Sequence, residues 1–146
     1  MKILFKVEFS IAYIFLVFFI LTLTSCARKI DFQISSVVPS ARGYVQIKKD
    51  KNKNNIIALH LLNLAEVERL QSEKKTYVVW MLTNQNATIN LGQINSSTTL
   101  FSKQLKASFE TVSSFVPVQI YITAEQDSNA QYPDSQVVLS TENFKK

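Results

Sequence analysis

A chain of 146 residues has room for one domain of ordinary size, with or without a removable leader, and a second hydrophobic core does not fit. The formal net charge of +5 is modest, and the basic residues do not form the aromatic-flanked stripe that is typical of nucleic-acid binders, so we expect no nucleic-acid partner. Hydrophobic residues make up 47% of the chain but are concentrated before Arg28, which separates a leader from a mixed polar and apolar remainder.

The first 25 residues have the layout of a secretion signal. Lys2 and Lys6 precede an apolar stretch from about residue 11 to residue 21, and small polar residues follow it. The whole apolar run, from Phe9 to Leu23, is shorter than the ~20 residues with which a helix crosses a bilayer. A cleaved signal is therefore favoured over a retained transmembrane anchor.

The segment Leu23-Thr24-Ser25-Cys26 resembles the lipobox of bacterial lipoproteins. The resemblance implies that the sulfur of Cys26 receives a diacylglyceryl group, that the signal is cut before this residue, and that membrane lipid is a partner through Cys26. The alternative is a chance cysteine at the end of an ordinary signal. In lipoproteins of double-membraned bacteria an aspartate at the place of Ala27 indicates inner-membrane retention, so the resemblance implies the outer membrane. Residues Ala27 to Ser36 lack the acidic cluster of a surface-export tag, and we therefore expect the periplasmic face. Cys26 is the only cysteine, which leaves the exported part without a disulfide.

The remainder of the chain consists of short β-rich runs separated by turn residues. Residues 30–38, which end at Pro39, are either a linker or a first strand. Spacing of the later runs is typical of a sandwich or barrel, and we predict an all-β, antiparallel β-sandwich of about seven to eight strands. Those runs are Gly43 to Lys48, Ile56 to Leu62, Thr76 to Thr83, Thr88 to Ile94, Thr99 to Leu105, Val116 to Thr123 and Gln136 to Ser140. The predicted domains are a signal peptide (1–25), the lipidated cysteine with a linker or first strand (26–41), and the sandwich (42–146).

Alternation within the runs assigns a core. Residues 76–82 are apolar on both faces after the first position, as expected of a central strand that is covered on both sides. We therefore predict a core that contains Trp80, Val79, Ile120 and Ile122. The three-residue spacing of Leu64, Val67 and Leu70 predicts one or two helical turns across an open end of the sandwich.

The loop from Lys49 to Asn55 reads Lys-Asp-Lys-Asn-Lys-Asn-Asn and joins two runs that can pair as a hairpin. Its lysines, with Lys48, are interpreted as a solvated tip, and the alternative is contact with anionic lipid headgroups. Because the chain has only two glycines, we expect asparagines to occupy positive-φ positions.

The sequence contains few candidates for catalytic residues. His60 lies between two leucines and is interpreted as a structural or surface residue, because no partner marks it as a base. The pairs Glu66 with Glu68 and Glu125 with Asp127 lack a basic or aromatic frame. Clusters of cysteine, histidine and carboxylate that would bind zinc or iron do not occur, nor does a glycine-rich phosphate loop. We predict no catalytic residue, no metal, no cofactor and no enzymatic activity.

Residues from about 42 to 144 resemble the extracytoplasmic C-terminal domain of anti-sigma-K factors. The resemblance rests on short motifs in the same order: Gly43 at a strand start, Asn63-Leu64 at a strand end, Tyr77-Val-Val-Trp80-Met, Leu91-Gly92, and Ile122-Thr-Ala-Glu125 leading through Tyr132-Pro133 to Val137-Val-Leu139-Ser140. It implies a β-sandwich outside the cytoplasm. Two departures stand out: the loop from Gln126 to Gln131 lacks the family's glycines and prolines, and about ten residues before the apolar stretch are too few for a cytoplasmic sigma-binding domain.

Together these features predict a membrane-anchored extracytoplasmic lipoprotein that acts as a non-catalytic binding module of the cell envelope, with an unidentified envelope protein as partner. One alternative is an extracytoplasmic sensor or regulator in an anti-sigma-type system. A less favoured alternative is an envelope hydrolase.

Overall fold

The computed structural model describes residues 27–70, 73–94, 97–99 and 102–144. The predicted signal and Cys26 lie outside these residues. Strands make up the fold, together with one 3₁₀ turn at Val67–Arg69, which falls within the predicted helical segment. The strands are β1 (Arg28–Asp31), β2 (Arg42–Lys49), β3 (Asn55–Leu62), β4 (Thr76–Thr83), β5 (Thr88–Ile94), β6 (Ser97–Thr99), β7 (Ser102–Ser113), β8 (Pro117–Glu125) and β9 (Val137–Ser140).

The strands form two antiparallel sheets. One has the order β1-β2-β3-β7-β6 and the other has the order β5-β4-β8-β9. Every strand pair is antiparallel, so the predicted antiparallel sandwich is confirmed. With the three-residue β6, the structure describes nine strands, where about seven to eight were predicted.

The longest strand was only partly predicted. The run from Thr99 to Leu105 is not one strand, because β6 ends at Thr99 and β7 starts at Ser102 and continues to Ser113. In the second half of β7 only one of the inward positions, Phe109, is large and apolar, whereas the others are small or polar, among them the buried Ala107 and Ser113. Hydrophobic alternation is therefore weak there, and pairing with β3 holds the strand instead.

The interior between the sheets is apolar. Val79, Ile120 and Ile122 are fully buried in it, as predicted, and Leu59, Leu61 and Met81 lie beside them. Burying each aliphatic side chain of this size contributes about 1.5–3 kcal/mol. With no disulfide between described residues, this packing is the main source of stability.

The segment after β1 joins the two sheets. Residues 28–31 are a strand rather than a linker and pair with β2. The chain then leaves that sheet: Phe32 forms a bridge with Thr141, and the Gln33 N–H donates to the Ser140 carbonyl at 2.8 Å. The hydroxyl of Ser35 donates to the Val138 carbonyl of β9. Residues 28–35 thus close one side of the sandwich.

The two ends of the sandwich differ in what they carry. We call the end that holds both described chain termini the terminal end, and the other the opposite end. The terminal end contains Arg28, Phe144 and the short connections 50–54, 84–87 and 114–116. The opposite end contains the 3₁₀ turn and the connection of residues 126–136, which we call the covering loop.

Among the described residues three that are not glycine adopt positive φ, and two of them are asparagines, as expected from the scarcity of glycine. They are Asn63 (φ 58°), Asn86 (φ 59°) and Lys53 (φ 66°). Each lies in a turn at the end of a strand, where asparagine tolerates the left-handed region better than most residues.

Candidate functional site

The outer face of the four-stranded sheet carries a second, smaller buried region. Trp80 is fully buried but does not belong to the interior cluster, which takes Tyr77, Val79 and Met81 from the same strand. Side chains alternate along a strand, so Trp80 and Val78 point to the outer face. Trp80 is buried, as predicted, and it lies on the outer face of β4 rather than in the cluster between the sheets. The expectation that β4 is covered on both sides is correct.

A polar network surrounds Trp80 on this face. The indole N–H of Trp80 donates to the Thr123 hydroxyl at 2.8 Å, and that hydroxyl donates to the Glu125 carboxylate. Glu125 also accepts the backbone N–H of Asp134 at 2.8 Å. Thr123 and Glu125 are both buried. Because a buried polar group without a partner destabilises the fold by about 1–3 kcal/mol, this network favours one position of the residues that complete it.

The covering loop completes the network and lies over Trp80. The side-chain amide of Asn90 in β5 donates to the Ser128 and Ala130 carbonyls, each at 2.9 Å. The Asp127 carboxylate accepts the Asn129 N–H at 2.9 Å, and Lys74 forms an ion pair with Asp134. The loop is thus attached to the domain at its middle and near its end, through side chains of two other segments.

The ion pair affects the titration of Asp134. A hydrogen bond from Lys74 lowers the pKa of the Asp134 carboxyl below its ordinary value, and the backbone N–H of Gln136 adds to the effect. Asp134 is therefore charged at neutral pH, and the ion pair with Lys74 is lost only under strongly acidic conditions.

An open cleft of about 560 Å³ lies between β5 and the covering loop. Its lining consists of Asn90, Leu91, Gly92, Gln93, Ser128, Asn129, Ala130 and Gln131. Gly92 has φ 130°, and the register of β5 against β4 shifts at the same level, between Val79 and Trp80. A bulge of this kind bends an edge strand and redirects its groups. A Cβ on Gly92 would also crowd the Phe109 ring, at 3.2 Å.

The cleft offers neutral hydrogen-bonding groups. No charged side chain occurs among its lining residues, and Gln93, Asn129 and Gln131 are exposed there. Among the described strands β5 pairs only with β4, so its other edge presents backbone N–H and C=O groups. Edge strands bind extended peptides by adding them as a further strand, with side-chain pockets supplying specificity. This arrangement can donate and accept hydrogen bonds along an extended segment.

His60, the sequence candidate for a base, lies on the outer face of the other sheet. It is exposed, its ring centroid is 5.0 Å from that of Tyr44, and the Lys29 ammonium lies 4.0 Å from the Tyr44 ring. Ser108 is its register partner on β7. The structure therefore places His60 in an aromatic and cationic row on a solvated face.

The two members of each carboxylate pair have different surroundings in the structure. Glu66 pairs with Arg69 at 3.2 Å. Burial, with a smaller effect of Glu68, raises the pKa of Tyr77, whose hydroxyl donates to the Ala65 carbonyl at 2.8 Å. Glu125 is buried in the Trp80 network, whereas Asp127 is exposed in the covering loop. Neither pair forms an acid and base set.

Three further findings bear on function. Within the described ranges no group of three or more histidine, cysteine or carboxylate side chains could hold a metal ion. No helix in the part of the chain that the structure describes is long and apolar enough to cross a membrane. Comparisons with protein-family models, curated proteins and solved structures find no match.

One part of the site was signalled by the sequence. The loop from Gln126 to Gln131 was identified as the point where the chain departs from the anti-sigma-K pattern, and residues 128–131 line the cleft. The contribution of β5 was missed, because Asn90 and Gly92 look like ordinary strand and turn residues until the register shift with β4 is known.

Proposed function

We propose that this protein is a lipid-anchored, non-catalytic binding module of the bacterial cell envelope, and that it binds an extended segment of an envelope protein in the cleft between β5 and the covering loop. The observation that carries the proposal is the cleft itself, in which a strand edge faces a loop fixed by buried side chains. Binding sites commonly lie on loops that a rigid sheet positions.

Pre-organisation is the physical advantage of this arrangement. A loop that must order on binding loses conformational freedom, at about 0.5–1.5 kcal/mol for each immobilised side chain. The covering loop is held in place before any partner binds, since Asn90 binds two of its carbonyls and Asp134 is held by Glu125 and Lys74. A partner therefore meets a formed surface.

Support for the anchor comes from the sequence. Leu23-Thr24-Ser25-Cys26 resembles a lipobox, and β1 starts at Arg28, two positions after the cysteine. A Cys26→Ser variant is expected to accumulate as unprocessed precursor or to be released from the membrane. Mass spectrometry of the membrane fraction reads out the modification, and a cleaved, membrane-free protein with an unmodified cysteine would contradict the anchor.

Crosslinking in cells tests the binding site. A photoreactive residue at Gln93 or Asn129 of the anchored protein is expected to capture a reproducible protein adduct. The matched control carries the photoreactive residue in place of Glu110, which is exposed on the outer face of the other sheet. Adducts at Glu110 but at neither cleft position would contradict the proposal.

A regulatory role is the second candidate. The order of motifs from Gly43 to Ser140 resembles the outer domain of anti-sigma-K factors, which supports a sensor acting on a separate membrane-spanning protein. Transfer of function from fold alone is an analogy. Deletion of the gene is expected to change sigma-dependent transcription if this version holds, and unchanged transcription would leave the general binding role.

The hydrolase alternative is tested by turnover of envelope substrates with the purified protein and with a His60→Ala variant. We expect no His60-dependent turnover. Activity that disappears in the variant would overturn the non-catalytic assignment.

A further inference from the structure

Both ends of the described chain meet at the terminal end of the sandwich. Arg28, the first residue of β1, is the register partner of Ile47, close to the tip of the β2–β3 hairpin. Its guanidinium donates to the Phe144 carbonyl at 2.6 Å, which brings the last described residue to the same place. The sequence adds Lys145 and Lys146 directly after Phe144.

The hairpin gives this end a positive charge. Lys48, Lys49, Lys51 and Lys53 are all exposed, and none of them forms an ion pair with a described residue. The one carboxylate in the hairpin, Asp50, is occupied within it: it accepts the backbone N–H groups of Asn52 at 2.8 Å and Asn54 at 2.7 Å. The lysine charges therefore remain available to an external anion.

Exposed apolar side chains lie next to the lysines. Val112, Phe115 and Val116 are 56%, 43% and 44% exposed. The side-chain amide of Asn55, at the base of the hairpin, donates to the Phe115 carbonyl at 2.7 Å, so the two connections are held together. Lysines beside exposed phenylalanine and aliphatic groups are the composition with which proteins bind to the interface of an anionic bilayer.

The anchor fixes which end can meet the membrane. Cys26 and Arg28 are two positions apart, and an extended chain spans at most about 3.3–3.6 Å per residue, so β1 starts within about 7 Å of the lipidated residue. The terminal end must stay close to the headgroups. The opposite end is the far end of the domain, and the cleft lies beside the middle of β5 on the outer face of the four-stranded sheet.

We propose that the terminal end docks on the anionic headgroups of the membrane that holds the anchor, with the β2–β3 hairpin and the 114–116 connection in the interface. The proposal rests on the anchoring of Cys26 proposed above. Docking through the hairpin, which belongs to the other sheet, leaves the cleft between β5 and the covering loop clear of the bilayer, where an envelope protein can reach it.

The test uses the full-length protein purified from membranes and reconstituted through its own anchor. Lipidation blocks Cys26, so a single added cysteine can carry an environment-sensitive fluorophore. Asn52→Cys places the label in the hairpin, and Asn129→Cys is the matched control at the opposite end, since each is exposed and lies two residues after a capping aspartate. Quenching by lipids with a nitroxide on the acyl chain reports contact with the bilayer.

We expect the Asn52 label to be quenched in vesicles that contain phosphatidylglycerol, much less in vesicles of phosphatidylcholine alone, and less again at high salt. The Asn129 label is expected to stay unquenched in both. The double variant Lys51→Gln and Lys53→Gln should weaken docking by roughly fivefold per lysine. Its matched control is Lys75→Gln with Lys106→Gln, two exposed lysines of the opposite end, and should leave docking unchanged.

Equal quenching at the two positions, no response to phosphatidylglycerol, or a label that responds to added heparin but not to anionic lipid would each overturn the docking proposal. Mass spectrometry of the same sample separates this failure from that of the anchor. An unmodified Cys26 overturns the anchoring itself, whereas a lipidated protein with an unquenched Asn52 label overturns docking alone.

Discussion

The terminal end and the opposite end of this sandwich are built in different ways. At the terminal end, short connections turn the chain within a few residues, and the hairpin tip is held by its own side chains, as with Asp50. At the opposite end, the covering loop is held by side chains outside it, those of Asn90, Lys74 and Glu125. Glu125 is buried and in turn accepts a hydrogen bond from buried Thr123. A substitution in the hairpin is therefore expected to affect only the hairpin. A substitution among the residues that hold the covering loop is expected to change both the loop and the stability of the domain.

The largest expected effect comes from Trp80→Ala. Removing this fully buried side chain leaves a cavity under the covering loop and takes away a donor to Thr123, so we expect a loss of about 3–5 kcal/mol in the free energy of unfolding. Chemical denaturation measures it. A loss under about 1 kcal/mol would show that the loop does not depend on Trp80 and would remove the contrast between the two ends.

Glu125→Ala is expected to come next. The substitution leaves the Thr123 hydroxyl and the Asp134 N–H without their acceptor, which should lower the free energy of unfolding by about 1–3 kcal/mol. Glu125→Gln retains an acceptor oxygen and is the matched control, with a smaller loss. Amide hydrogen exchange should accelerate across residues 126–136 in the alanine variant; unchanged exchange there would contradict the role of Glu125 in holding the loop.

Asp50→Ala examines the terminal end by the same logic. Asp50 accepts three hydrogen bonds inside the hairpin, but the site is partly exposed and water can replace it. We expect a loss of about 1 kcal/mol or less, with faster exchange confined to residues 50–54. A loss as large as that of Glu125→Ala would show that the two ends are not held differently.

The smallest effect is expected from Asp134→Asn, and it depends on pH. The Lys74 contact lowers the pKa of Asp134 in the folded protein. The ion pair therefore contributes fully to the free energy of unfolding above the pKa of Asp134 in the unfolded chain, near pH 4, and this contribution is lost as pH falls through the pKa in the folded protein. At pH 7 the variant should be less stable by about 1 kcal/mol or less, because the pair is partly exposed. The difference should shrink below about pH 4, and a difference that grows with acidity would contradict the assignment.

Much of the fold could be predicted from the sequence because apolar and polar residues alternate along most strands. Val79, Ile120 and Ile122 were placed correctly since their neighbours are polar or face a second layer. The second half of β7 was missed because its inward side chains include Ala107 and Ser113, which carry little hydrophobic signal.

The candidate site was harder to predict because it depends on which face a residue takes. Trp80 looks like an ordinary core residue in a strand that is apolar throughout, and only its exclusion from the interior cluster reveals the outer buried region. Glu125 looks like half of a carboxylate pair with Asp127, whereas its partners are Thr123 and Asp134. The contact of Trp80 with Thr123 joins residues of two different strands, so no local periodicity in the sequence indicates it.

The most direct test compares the products of photocrosslinking at the two ends of the anchored protein in cells. A photoreactive residue at Asn129 lies in the lining of the cleft, and one at Asn52 lies in the lysine hairpin. The account predicts protein adducts at Asn129 and lipid adducts at Asn52. Protein adducts at Asn52 together with lipid adducts at Asn129 would reverse the orientation and contradict the assignment of the cleft as the binding site.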